Sequence, residues 1–326
     1  MKGGGNMKIN DEELGIMAEV ASLYFEQNFS QQEIADKLYF SRSKVSRLLS
    51  KAIESKVVEI TINYPLERIM NLEMKLKDIF ELNEVIVIKD YSTTYEMLLK
   101  RLGNAAAQYL DGVIKDNTSM GITWGQTIYH IVEAMNANHH KNLRVIQLMG
   151  TTESDNNSAY DAPELVRKIV DKYGGSFSQF YSPLVVENEL VRDSLVREPI
   201  IRKVLEEARQ VDIVVTSIGH FSSRKIKAWE HHLDDAGYRQ LSDKGAVGVL
   251  LAHFINQHGH LVDETLDQQV IGIKLEDLKQ IKNVVAVAGG VNKAKGVYGA
   301  VKGGYVNTLI VDERLALGLL DLEAKQ

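Results

Sequence analysis

The spacing of apolar residues changes character twice along this chain. Over residues 11–27, Leu14, Met17, Ala21, Tyr24 and Phe25 fall on one helical face,. That helix would open on Asp11, Glu12 and Glu13, where its dipole favours acids, and stop at Asn28,. Ser30, followed three residues later by Glu33, is a capping box and predicts a second helix burying Ile34, Ala35 and Leu38,. After Tyr39-Phe40, Ser41 would cap a third helix whose buried stripe is Val45, Leu48, Leu49, Ala52 and Ile53,. Residues 57–62 are β-branched and alternating, which predicts a strand or wing, and Pro65 marks a boundary. Residues 66–80 return to helical spacing, which suits either a connecting or dimerising helix or one packed on the following domain.

From residue 85 the pattern becomes one of short apolar runs between helical stretches. Strands are expected at 85–88, 120–122, 145–148, 213–215, 284–287 and 309–311, with helices near 96–112, 126–137, 163–173, 198–208, 292–302 and 313–320,. Continuous apolar strands alternating with helices imply a mostly parallel sheet covered on both faces. The expected organisation is a flexible tail at 1–10, a small all-α, winged helix-turn-helix domain at 11–64, and a large α/β Rossmann-like domain at 65–326.

Composition narrows the function classes. The 326 residues are 44% hydrophobic and 25% charged, an ordinary globular balance,. No cysteine is present, which excludes thiol catalysis, disulfides and cysteine-ligated metals,. No window approaches a membrane span and no secretory signal is expected at the N-terminus, so the expected compartment is the cytoplasm, with no membrane partner,. The net charge of −6 argues against a surface that coats nucleic acid, yet residues 41–56 carry five cations against the single acid Glu54,. The third helix would leave Ser41, Arg42, Ser43, Lys44, Ser46 and Arg47 free near its N-terminus, with Gln31 at the start of the second helix. Arg and Lys suit guanine edges or phosphates, and Ser suits either, so these residues are the candidate contacts to operator DNA.

Ligands of parallel sheets bind beyond the carboxyl ends of the strands, so the turns there are the candidate ligand site. Gly121 leads into Thr123-Trp124-Gly125-Gln126-Thr127, a glycine-containing turn before a helix N-terminus that offers backbone N–H groups to an anion,. Gly150 and Thr151 form a second turn, with Asp161 before Pro163 either accepting sugar hydroxyls or capping a helix,. Gly219-His220 is a third, and Gly289-Gly290 followed by Lys293 is another anion candidate. Together they suit a phosphorylated sugar or a similar small polar anion. Neither a P-loop nor a dinucleotide fingerprint occurs, and no cofactor is expected,. The histidines show no helical metal spacing: His139-His140 and His231-His232 lie in polar stretches, and no metal site is expected.

These motifs, with Gly245-Ala246-Val247-Gly248, Gly303-Gly304-Tyr305-Val306-Asn307 and Asp312-Glu313, resemble the SorC family of bacterial transcriptional regulators over about residues 11–322. The resemblance implies a winged-helix DNA-binding domain and an effector domain similar to sugar-phosphate isomerases and deaminases. It also implies control of a carbohydrate-utilisation operon by a phosphorylated sugar, and assembly as a dimer or tetramer. Carried over by position, Gln126 and Thr127 would lie closest to the anion and Lys293 would match the family's lysine. Two residues depart from the pattern. Tyr39 stands where the family carries glycine, so the corner must take an ordinary conformation or strain. Val249 stands where the family carries an acid, which suggests a less hydroxylated effector or a rearranged pocket. The alternative reading is a phosphosugar isomerase or deaminase-like enzyme, for which Asp161, Asp263 and His220 are the acid–base candidates; no catalytic motif surrounds them, and no catalytic residue is assigned,.

Overall fold

The computed structural model describes residues 11–58, 66–137, 141–152, 158–221 and 226–325. The expected tail at 1–10, the expected wing from residue 59 onward, the Pro65 boundary and His139-His140 lie outside the described residues. The chain divides into two compact units between Pro65 and Leu66.

In the first unit, α1 (Asp11–Ala21) runs into a π-helical turn, Ser22–Glu26, and the chain then turns at Asn28, whose φ is 59°. The capping box opens α2 (Gln31–Leu38): Ser30 Oγ accepts the Glu33 N–H at 3.3 Å and Glu33 Oε2 accepts the Ser30 N–H at 2.8 Å. Ser41 Oγ accepts the Lys44 N–H at 3.2 Å and opens α3 (Arg42–Glu54). Met17, Val20, Leu23, Ile34, Ala35, Val45, Leu48, Leu49 and Ala52 form the core. The corner resolves the Tyr39 question on the side of strain. Tyr39 sits at φ 52°, ψ 39°, in the left-handed region, with its side chain 95% exposed. A residue with a Cβ is destabilised there by about 1–2 kcal/mol.

Among the described residues, the second unit is built on ten strands: β1 (Glu84–Ile88), β2 (Ser119–Ile122), β3 (Leu143–Gln147), β4 (Gly175–Ser178), β5 (Ile213–Thr216), β6 (Gly219–His220), β7 (Gly248–Leu250), β8 (His253–Ile255), β9 (Asn283–Ala288) and β10 (Thr308–Asp312). Seven form one parallel sheet in the order β1-β10-β9-β5-β2-β3-β4. Two apolar cores cover its faces, and residues of the central strands alternate between them: Val284 and Ala286 on one, Val285 and Val287 on the other,. The helix at 66–80 is α4 (Met70–Phe80), which packs on β1 through Leu72 and Leu76. Its buried Glu73 takes Arg68 in two hydrogen bonds, at 2.9 and 2.8 Å, and the Val87 N–H at 2.9 Å. The small antiparallel sheet β6-β7-β8 was absent from the expected elements. It stands beyond the end of β5 and closes against the helical residue Gly296, where Gly248 allows backbone contact: a Cβ on Gly248 would lie 2.6 Å from Gly296 Cα.

The strand order reverses between β2 and β5. The chain runs outward through β3 and β4, then returns to β5 on the other side of β2. Loops leaving these two strands diverge to opposite sides and open a crevice at the carboxyl edge.

Candidate effector site and nucleic-acid face

At the crevice, β2 delivers the chain to Thr123, Trp124 and Gly125. Gly125 stands at φ 112°, ψ 175°, backbone space that is nearly closed to residues with a Cβ,. As N-cap it brings no side chain to the helix α5 (Gln126–Ala134), so the first turn at Gln126 and Thr127 has no capping group. Such an end offers N–H groups and a positive dipole to an anion. The Gly125 N–H donates to Tyr160 O at 3.0 Å, which holds the Tyr160-Asp161 segment beside this turn. Thr123 is buried, with Oγ1 3.5 Å from Thr216 Oγ1 at the end of β5, and Ser217 Oγ donates to Thr127 Oγ1 at 3.3 Å. Of these four hydroxyl residues, Thr123 and Ser217 line the cavity at the crevice, and the buried Thr216 and Thr127 stand behind them.

β9 neighbours β5 and ends in Gly289-Gly290, then a 3-10 turn, Val291–Lys293. Lys293 is half-buried, and its ammonium has no hydrogen-bond or ion-pair partner among the described residues. Burial pushes it down to about 8,. The turn packs beside β6, where the His220 imidazole is held below its usual value by burial and then by the charge of Lys293. Two basic groups thus share one place, and the uncapped helix end lies two strands away on the same edge of the sheet.

Beside the turns lies a cavity of about 150 Å³. Its lining includes Thr123, Trp124, Ser217, Gly219 and His220 together with Met149, Leu184, Ile226, Val249, Leu251 and Ala252. Val249, the departure from the family pattern, is one of these, paired with Gly219 in the small sheet. Leu184, Ile226, Leu251 and Ala252 had no signal in the sequence. Leu251 and Ala252 adopt φ values of 52° and 67° and form a tight β7–β8 turn from residues that disfavour it,. A second cavity, of about 200 Å³, shares Leu184 and Ala228 and is lined by Thr151, Thr152 and His232.

Several expected site residues hold other roles. Gly121 lies inside β2, fully covered, and a Cβ there would meet Leu148 at 2.4 Å; it is a packing position rather than a ligand contact. The Gly150 N–H donates to Ile271 O at 2.8 Å, and a Cβ would strike Pro183 O. Thr151 donates both its N–H and its hydroxyl to Ser182 O, at 3.0 and 3.1 Å, so it lines the second cavity with its donors engaged. Gly289 is buried against Leu98 and Leu102. The Gly290 N–H, expected to face an anion, donates instead at 2.5 Å to Asp312, whose buried carboxylate also caps the last helix, α6 (Glu313–Ala324), through the Arg314 and Leu315 N–H groups. Only Lys293 of that candidate cradle remains for a ligand. Asp161 is the N-cap residue of the helix Ala162–Tyr173, yet its carboxylate makes no capping bond. Asp263 accepts the Leu266 N–H at 3.0 Å and pairs with Lys244 at 2.6 Å, which leaves it engaged rather than poised as a base.

In the first unit, α3 keeps Ser41, Arg42, Ser43, Ser46 and Arg47 exposed around its N-terminal half. Ser41 and Ser43 hydroxyls lie 3.0 Å apart, and Arg47 Nε reaches Ser43 O at 3.4 Å. Lys44 is half-buried, its Nζ 3.5 Å over the Phe40 ring, and Lys51 pairs with Glu13, so neither is as free as the charge count implied. Gln31 is half-buried at the first position of α2.

Comparison with known proteins gives this arrangement a class. The family model "Putative sugar-binding domain" matches residues 64–321. The chain is 28% identical to the deoxyribonucleoside regulator of Bacillus subtilis (strain 168), over 95% of this chain and 98% of that one. It is 30% identical to the transcriptional regulator LsrR of Enterobacter sp. (strain 638), over 97% and 95%. The crystal structure of the full-length sorbitol operon regulator SorC from Klebsiella pneumoniae superposes with a TM-score of 0.69, covering 95% of this chain and all of that one; at 23% identity this likeness shows a shared fold. The chain belongs to the SorC family of transcriptional regulators, and its larger unit carries the family's sugar-binding domain. Among the described residues, no helix is long and apolar enough to cross a membrane.

Proposed function

We propose that residues 11–64 read operator DNA as a helix-turn-helix and that residues 65–326 bind a phosphorylated sugar and hold the chain in a dimer or tetramer. The observation that carries the ligand reading is the unpartnered Lys293 ammonium beside His220, two strands from the uncapped start of α5. A phosphate dianion there would satisfy the cation and the helix end together. Thr123, Gly125, Gln126 and Thr127 form the phosphate turn in this reading, with His220 and Lys293 opposite.

On the DNA side, the buried stripe of α3 turns Arg42, Ser43, Ser46 and Arg47 outward, the face a recognition helix presents to the major groove,. Ser41 and Lys44 lie at its start and Gln31 beside it. One short helix reads few bases, so paired half-sites in an oligomer supply the remaining specificity. Relatives named for a sorbitol operon and for deoxyribonucleosides support a carbohydrate-utilisation operon as the target. The enzymatic alternative has less support, since Asp263 is engaged with Lys244, Asp161 stands in no catalytic arrangement, and His220 beside Lys293 serves here as a ligand contact rather than a base,. The ligand acts by its differential affinity for two arrangements of the oligomer. Selecting bound sequences from a random DNA pool and measuring their affinity with and without phosphorylated sugars tests this. Sequence-independent binding at moderate salt would refute the DNA reading, and affinity indifferent to every phosphorylated sugar would refute the effector reading.

A further inference from the structure

We infer that the body of the effector is deoxygenated where it meets the β7–β8 hairpin, so that the site selects a phosphorylated ligand with a methylene in place of a sugar hydroxyl. This rests on the phosphate site proposed above and concerns the cavity beside it. Met149, Leu184, Ile226, Val249, Leu251 and Ala252 supply the apolar part of its lining. None of these side chains can donate a hydrogen bond, and the only acceptor among them is the weak thioether sulfur of Met149.

Much of the backbone there is already engaged. Met149 O accepts Gln147 Nε2 at 2.6 Å. The Leu184 N–H donates to Thr151 O at 2.8 Å and Leu184 O accepts the Ile271 N–H at 2.8 Å. The Ile226 N–H donates to the Tyr238 hydroxyl at 2.8 Å, and Ile226 O accepts the Trp229 N–H at 2.8 Å. Ala252 O accepts Trp229 Nε1 at 2.8 Å. Val249 is held in strand pairing with Gly219 and Phe254. The Trp124 indole N–H, buried without a partner among the described residues, is a single donor against a ring of several sugar hydroxyls. Among the described residues a hydroxyl facing this wall finds few partners, whereas a methylene or methyl group gains apolar contact,. The polar part of the lining, Thr123, Ser217 and His220, lies by the proposed phosphate turn, so one small ligand can meet both surfaces.

Calorimetric titration of the full chain with matched pairs tests the inference: ribose 5-phosphate against 2-deoxyribose 5-phosphate, and glucose 6-phosphate against 2-deoxyglucose 6-phosphate, with inorganic phosphate as the shared group. A deoxy member of at least one pair is expected to bind roughly tenfold tighter than its hydroxylated partner. Val249→Thr, which adds a hydroxyl at nearly constant volume, is expected to narrow that ratio. Equal or tighter binding of the hydroxylated member in both pairs would overturn the inference and leave the phosphate site standing. Failure of every phosphorylated ligand to bind would overturn the phosphate site and the inference with it.

Discussion

Replacing Lys293 with methionine tests the charge deficit of the site from two directions. In the ligand-free protein the ammonium is held near 8 rather than 10.5, with burial the cause. Keeping it charged at neutral pH therefore destabilises the fold by at most about 3 kcal/mol, at about 1.4 kcal/mol per pK unit. Methionine has similar length and no charge, so Lys293→Met should raise the melting temperature at pH 7 by up to roughly 6 °C, taking about 2 °C per kcal/mol for a unit of this size. The pH dependence has a definite sign. Between about 8 and 10.5 the unfolded chain holds the proton that the folded chain has released, so wild-type stability rises with pH across that window,. The advantage of the variant is complete below pH 8 and disappears by about pH 10.5. Ligand reverses the ranking: a phosphorylated sugar should raise the wild-type melting temperature, while the variant loses a charge-assisted contact of about 1.5–3 kcal/mol and binds roughly 10- to 100-fold more weakly. Differential scanning fluorimetry from pH 7 to 10, with and without ligand, reads both effects. A variant less stable than wild type at pH 7, with a gap that does not change with pH, would refute the reasoning and make Lys293 a structural side chain.

Tyr39→Gly should relieve the left-handed corner and stabilise the first unit by about 1 kcal/mol after the glycine's own entropy is subtracted; slower native-state hydrogen exchange in α2 and α3 would show it. Gly125→Ala meets open space but an unsuitable φ of 112°, so it should destabilise the larger unit by about 1–3 kcal/mol in urea unfolding and weaken phosphate binding,. Arg42→Ala and Arg47→Ala should each weaken specific DNA binding by about 1–3 kcal/mol in fluorescence anisotropy, and leave thermal stability within about 0.5 kcal/mol because both side chains are exposed,.

The sequence was most legible where local chemistry is strong. The Ser30–Glu33 box and the Ser41 cap form as expected, and the six apolar runs all became strands of the parallel sheet. β4, Gly175-Ser176-Phe177-Ser178, escaped notice because an exposed edge strand needs no apolar run. The β6-β7-β8 sheet escaped because its pairing is set by tertiary contacts: Gly248 pressed on Gly296, and a tight turn made by Leu251 and Ala252, neither a turn-forming residue. At the candidate site, glycines mark turns at the carboxyl edge of the sheet, but a glycine does not reveal where its N–H points. Gly290 serves Asp312 and Gly150 serves Ile271, and both partners are far away in sequence. The lining of the cavity comes from segments far apart in the chain; Thr123, Gly219, His220 and Val249 stood out in the sequence, whereas Leu184, Ile226, Leu251 and Ala252 did not.

Asp312 ties two distant parts of the chain together. Its one carboxylate holds the Gly290 N–H at the foot of the Lys293 turn and the first N–H groups of α6. That helix packs against both the Val291–Lys293 turn and α4, the first helix of the larger unit. The C-terminal helix therefore connects the anion turn to α4 by direct packing. A ligand that displaces the turn should strain the Asp312 bonds and tilt this helix against α4,. Hydrogen exchange at the α4 amides, compared with and without ligand, is where that tilt would register.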